Sequence, residues 1–158
     1  TLAGLIRPSS GSVWLEDGSA RLAVREAHGR IGWCAPDLSL YGELTPAENL
    51  EFFARVAGRP IDRAGAEERI HAVGLDPKRL RTIRTRFLST GQRQRVKLAY
   101  AVLSDPAVLF LDEPGSNLDE AGHRAVAGIV AAQRARGSVV LATNDPAELA
   151  LADERVTL

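Results

Sequence analysis

The sequence predicts an α/β fold: a parallel core sheet flanked by helices, with an N-terminal antiparallel hairpin and an inserted helical block. Three observations predict it. Val108–Leu111 is a run of four large apolar residues without alternation, the pattern of a strand buried on both faces of a parallel sheet. Val139–Thr143 repeats the pattern, and Ile31–Cys34 is a third candidate core strand. Helical segments with their own start and stop signals alternate with these runs, as crossover connections in such sheets do.

In chain order, Thr1–Leu5 reads as the last turn of a helix ending at Gly4, and Pro8-Ser9-Ser10-Gly11 is turn chemistry. Ser12–Glu16 and Ala20–Val24 flank Asp17-Gly18, a strong hairpin signal. The Ile31–Cys34 strand stops at Ala35-Pro36-Asp37, because proline cannot continue a central strand. Thr45-Pro46-Ala47-Glu48 is a capping box with proline at the first helical position, opening a helix to Gly58. A second helix is expected from about Ala64 to Val73, stopped by Gly74, whereas residues 75–87 are too basic and broken to assign. Leu88-Ser89-Thr90-Gly91-Gln92 starts a helix with Val96, Ala99, Val102 and Leu103 on one face, closed by Asp105-Pro106. Asp119 caps a long helix that carries Val126, Ile129 and Val130 inward and ends at Gly137. Asn144-Asp145-Pro146 caps a short helix to about Leu151, and Arg155–Leu158 reads as a final strand. Residues 1–37 and 105–158 thus form the α/β core, and 38–104 a helical subdomain.

A chain of 158 residues can bury one substantial core. Twenty basic and twenty acidic residues cancel, so no basic excess points to nucleic acid. The single cysteine, Cys34, has no internal partner and reads as a core residue of a reduced protein. No apolar run approaches the roughly 20 residues of a membrane helix. The absence of methionine implies an excised or truncated piece of a longer protein.

Chemistry is expected at two places. Asp112 and Glu113 follow the Val108–Leu111 run, and ligands of parallel sheets bind beyond the carboxyl ends of strands. Adjacent strand residues point opposite ways, so the two acids would do different jobs; equally, they could be a strand end meeting water. The helix opening at Ser89 carries Arg93, Arg95 and Lys97 near its partially positive N-terminus, where acids are favoured. An arriving phosphate explains that arrangement. So do basic side chains that turn to water or pair with acids of a neighbouring segment.

Together these pieces resemble the ABC-type ATPases. Leu88-Ser89-Thr90-Gly91-Gln92-Arg93-Gln94-Arg95 is similar to their signature motif, with threonine where a second glycine is usual. Val108-Leu109-Phe110-Leu111-Asp112-Glu113-Pro114 resembles their Walker B segment, Ser116-Asn117-Leu118-Asp119 their D-loop, and Leu141-Ala142-Thr143-Asn144-Asp145 their switch loop. Thr1–Gly11 resembles the stretch after the phosphate-binding loop. The resemblance covers essentially the whole chain and implies a P-loop NTPase fold, incomplete at its start.

The resemblance also implies roles. Asp112 would hold Mg²⁺, and Glu113 would act as general base on the attacking water. Ser89, Thr90, Gly91 and Gln92 would contact the γ-phosphate of ATP held by a second ATP-binding domain, most simply in a homodimer, with Asp119 communicating between the sites. Residues 38–104 would touch a transmembrane permease subunit, on the cytoplasmic face of the inner membrane. Three departures from the family pattern bear on activity. No G-x-x-x-x-G-K-[ST] occurs, nor the upstream aromatic that stacks on adenine, so this chain alone is expected to bind ATP poorly or not at all. Pro36 stands where a glutamine usually reaches Mg²⁺ and water. Asn144 replaces the switch histidine, and it can donate to a phosphate but carries no proton near neutral pH. The stretch Ala35–Thr45 resembles haem-exporter ATPases of cytochrome c maturation. The expected function is therefore an ATP-hydrolysing subunit powering a transporter, possible haem export included; the alternatives are a nucleotide-dependent regulatory subunit with little turnover and a soluble ABC ATPase of DNA repair or translation. His28, His71 and His123 read as surface residues.

Overall fold

The computed structural model describes residues 3–4, 6–17 and 20–156, and no helix among them is long and apolar enough to cross a membrane. Strand β1 (Trp14–Asp17) runs antiparallel to β2 (Ala20–Ala23), with Asp17 opposite Ala20, so the hairpin forms where Asp17-Gly18 predicts it. Gly18 and Ser19, between the strands, lie outside the described residues. Gly4 has φ = 77°, the left-handed conformation of a helix stop, but the helix assigned before it rests on Thr1, Leu2 and Leu5, which also lie outside them.

After β3 (Ile31–Cys34) come four helices: α1 (Pro46–Val56), α2 (Arg63–Ala72), α3 (Pro77–Leu80) and α4 (Thr90–Ala101). Each start is made by a local side chain. Thr45 and Glu48 close the reciprocal capping box on α1, and the Thr45 backbone N–H donated to Glu48 holds that carboxyl below its ordinary range. Asp62 and Asp76 cap α2 and α3. Gly58 and Gly74, both at φ = 72°, supply the stops. The unassigned stretch 75–87 becomes α3 and a 3-10 turn over Thr85–Phe87. It is held from a distance: Thr85 and Arg86 donate backbone N–H bonds to Leu44 and Gly42. Buried Asn49 donates to Tyr41 O, Thr45 O and Thr85 Oγ1 and accepts from Tyr41 N–H.

Strand β4 (Val108–Asp112) pairs in parallel with β3 and, on its other side, with β5 (Ser138–Ala142); α5 (Glu120–Arg134) connects β4 to β5, and α6 (Pro146–Leu149) follows. The register brings Cys34, Leu111 and Leu141 side by side. On that face Leu109 and Leu111 join Leu50, Ile70, Val96, Leu98, Val126 and Val130 in one buried cluster. Gly32 allows α4 this close, since a Cβ there would overlap Ala101 O. Gln133, fully buried, donates to Pro106 O and fastens α5 to the entry of β4.

Three expectations are corrected. The sheet is buried on one face only: Trp33, Val108 and Phe110 are half-buried and Val140 is 39% exposed, because the helices pack on the opposite face. β5, expected to be buried, has Ser138, Val140 and Ala142 exposed and Val139 and Leu141 half-buried, and it pairs with β4 alone among the described residues. Arg155 and Val156 form no strand; Thr157 and Leu158 lie outside the described residues. Smaller differences concern helix ends: α5 stops at Arg134, and Gly137 serves close approach instead, since a Cβ there would overlap Ala107 O.

Candidate functional site

The parallel register puts the ends of β3, β4 and β5 along one edge of the sheet, and these ends carry Pro36, Asp112 with Glu113, and Asn144. Asp112 is exposed and has no hydrogen-bond or ion-pair partner among the described residues. Glu113 departs from strand geometry with φ = 47°, a conformation uncommon outside glycine. Its N–H donates to Ala142 O at 2.8 Å, which aims the backbone of the β4 exit at the β5 exit. Across that gap Asn144 Nδ2 donates to Glu113 Oε1 at 3.2 Å. The two residues singled out from separate stretches of sequence therefore meet as an amide–carboxylate pair.

At the start of α4, Ser89 Oγ accepts from Gln92 N–H and Gln92 Oε1 accepts from Ser89 N–H, a second capping box. Ser89 and Thr90 are exposed, and the N–H groups of Thr90 and Gly91 belong to the donors that a helix start leaves open. Gly91 lets the next loop approach: a Cβ would lie 3.0 Å from Asn117 O, and Asn117 itself is left-handed at φ = 63°. Asp119 caps α5 through Gly122 N–H at 2.8 Å.

The basic residues of α4 have a different explanation from the phosphate expected of them. Arg93 Nη1 donates to Leu88 O at 2.9 Å, and Arg95 Nη1 to Gly74 O at 3.1 Å. Arg95 Nη2 reaches both oxygens of Asp119 at 3.4 Å, and Lys97 Nζ donates to Pro36 O at 2.7 Å. Each charge is spent on carbonyls or an acid of a neighbouring segment, so these side chains are structural ties between loops. What remains of the anion site is the helix start alone.

Gln94, not singled out from the sequence, is buried and donates to Pro114 O at 3.1 Å, with Cys34 Sγ at 3.9 Å. It fixes the backbone just after Glu113. Its signal was its place one turn into α4, on the side facing the sheet. Burial, opposed by the charge of Lys97 and aided by that of Asp112, pushes the Cys34 thiol up to about 12, so it stays protonated near neutral pH. His71 is exposed as expected, and the side chain of His28 lies outside the described ones. His123 is not a plain surface residue: its Nδ1 lies 4.0 Å from Asp145 Oδ2.

The family model for the ABC transporter matches residues 1–116. The chain belongs to the ABC transporter family. Among curated relatives, it is 35% identical to the cytochrome c biogenesis ATP-binding export protein CcmA of Bradyrhizobium diazoefficiens, over 89% of this chain and 67% of that protein. It is 29% identical to the phospholipid-transporting ATPase ABCA3 of Rattus norvegicus over 99% of the chain, which spans only 9% of that protein's length. A solved dimeric ATP-binding cassette, in a post-hydrolysis state bound to ADP and Pi, shares the fold with a TM-score of 0.73 and 23% identity, over 90% of this chain and 66% of that one. Within this ABC fold Asp112 fits a Mg²⁺ ligand: an acceptor-only carboxylate, free at the strand end and beside open solvent, matches an ion that takes one or two carboxylates plus substrate phosphates.

Proposed function

We propose that the protein is the ATP-hydrolysing subunit of a membrane transporter, working as a pair of copies. The observation that carries this is the Asn144–Glu113 hydrogen bond at the common edge of three parallel strands, with a free carboxylate, Asp112, next to it. Glu113 accepts a proton from the attacking water, which needs an ionised carboxylate within hydrogen-bond reach. Asn144 orients that carboxylate and offers its remaining N–H to the γ-phosphate; being uncharged, it carries no proton itself. Asp112 holds Mg²⁺, which when bound neutralises charge on the phosphates. Ser89, Thr90, Gly91 and Gln92 present the start of α4 to ATP held by the other copy, and Asp119 ties that helix to α5 through Arg95. The lobe from 38 to 104 meets a transmembrane subunit at the cytoplasmic face of the membrane, and the similarity to CcmA supports haem export in cytochrome c biogenesis as the cargo reading.

Single-turnover hydrolysis of ATP by the intact protein tests this. Glu113→Gln is expected to lower the rate by about 10²- to 10⁴-fold, the range of a lost general base. A second reading, a nucleotide-dependent regulatory subunit, draws on Pro36 and Asn144 in place of the usual glutamine and histidine. It predicts no measurable rate in the unsubstituted protein.

A further inference from the structure

One cluster of ligating side chains lies outside the proposed hydrolysis site. His123 on α5 and Asp145 and Glu148 on α6 each offer an atom within 4.8 Å of the others. Asp145 divides its carboxylate: Oδ1 caps α6 through Ala147 N–H at 2.8 Å, while Oδ2 faces His123 Nδ1 at 4.0 Å. The capping bond fixes how the second oxygen is presented. Glu148 is only 3% exposed, and its Oε1 is buried without a hydrogen-bond partner among the described residues. A buried, unpartnered carboxylate oxygen carries a desolvation penalty that ion binding would relieve.

Gly115 supplies the space. A Cβ on Gly115 would overlap Glu148 Oε1 and crowd the His123 ring, with Cε1 at 2.9 Å and Nδ1 at 3.0 Å, so the missing side chain is what lets these two groups approach here. An imidazole with two carboxylates is the donor set of three-ligand zinc-type sites, which leave a fourth position to water; Mg²⁺ and Ca²⁺ prefer oxygen alone. We propose that His123, Asp145 and Glu148, around Gly115, bind a transition-metal dication of the zinc type. An ion there bridges α5 to α6. Because Asp145 directly follows Asn144, it also restrains the loop that carries the Asn144–Glu113 hydrogen bond.

The test is calorimetric titration of the purified, tag-free protein with Zn²⁺ in the absence of nucleotide, together with Co²⁺ absorption in the visible. One saturable equivalent is expected, with Co²⁺ d–d bands. His123→Ala and Glu148→Gln should each weaken Zn²⁺ binding by about 100-fold or more, since even partners behind the ligands are worth 10- to 100-fold. Zn²⁺ should raise the melting temperature of the unsubstituted protein and of neither variant. If Glu148→Gln does not fold, His123→Ala, at a half-exposed position, decides alone. Absence of saturable binding, or an affinity unchanged by His123→Ala, would overturn the proposal.

Discussion

Asn144 donates one N–H to Glu113 and has no titratable group of its own, so it can orient the carboxylate and cannot relay a proton. A hydrogen bond to a charged group contributes about 1.5–3 kcal/mol, so Asn144→Ala should slow single-turnover hydrolysis by at least about 10-fold if the bond persists in the transition state. An unchanged rate would show that the contact is incidental. Cys34 gives a second residue-scale prediction. Its thiol rises from an ordinary 9.0 to about 12 on folding, through burial. The unfolded chain therefore releases this proton first. The stability linked to Cys34 is fully present below pH 9 and is lost as pH climbs from there toward 12, at up to about 1.4 kcal/mol per pH unit. Denaturant titrations of the protein and of Cys34→Ser at pH 8 and pH 10 read the difference. An equal pH dependence in both would contradict the assignment.

At the scale of elements, one buried amide ties several segments of the helical block together. Asn49 makes bonds to Tyr41, Thr45 and Thr85 with no exposure to water, so Asn49→Ala strands several buried polar groups at once. A loss of about 2–4 kcal/mol in unfolding free energy is expected from denaturant melts, each orphaned group costing about 1–3 kcal/mol. Less than about 1 kcal/mol would show that water replaces the network. This is also where the sequence was least legible. Strands β3 and β4, the capping box at Thr45, the helix start at Ser89, and the glycine stops at Gly58 and Gly74 were readable because each signal is local, within a few residues. The stretch 75–87 was not, because Thr85 is fixed by Leu44 and Asn49, distant in sequence. The basic residues of α4 misled for the same reason: Gly74, Pro36 and Asp119, which satisfy Arg95 and Lys97, lie 21, 61 and 24 positions away. Asp112, Glu113 and Asn144 were legible as residues, while the bond between the last two needed the register of β4 on β5. Burial of β5 was misjudged because an apolar run looks alike whether helices cover one face of the sheet or both.

For the whole molecule, the surface elements assigned to nucleotide sit apart in sequence but on two kinds of structure, strand ends and a helix start. The proposed division of labour gives each copy both halves: Glu113 acts on its own ATP, and Ser89 acts on the partner's. Complementation tests this central claim most directly. Glu113→Gln and Ser89→Arg proteins, each inactive alone, are mixed and allowed to exchange subunits, and steady-state ATP hydrolysis is measured. In a mixed pair one site joins both defects and the other is intact. With random exchange half the pairs are mixed, so recovery to about a quarter of the unsubstituted activity is expected of an interface shared by two copies. No recovery, with exchange verified, would mean that each copy completes its own site, and the paired account would be wrong.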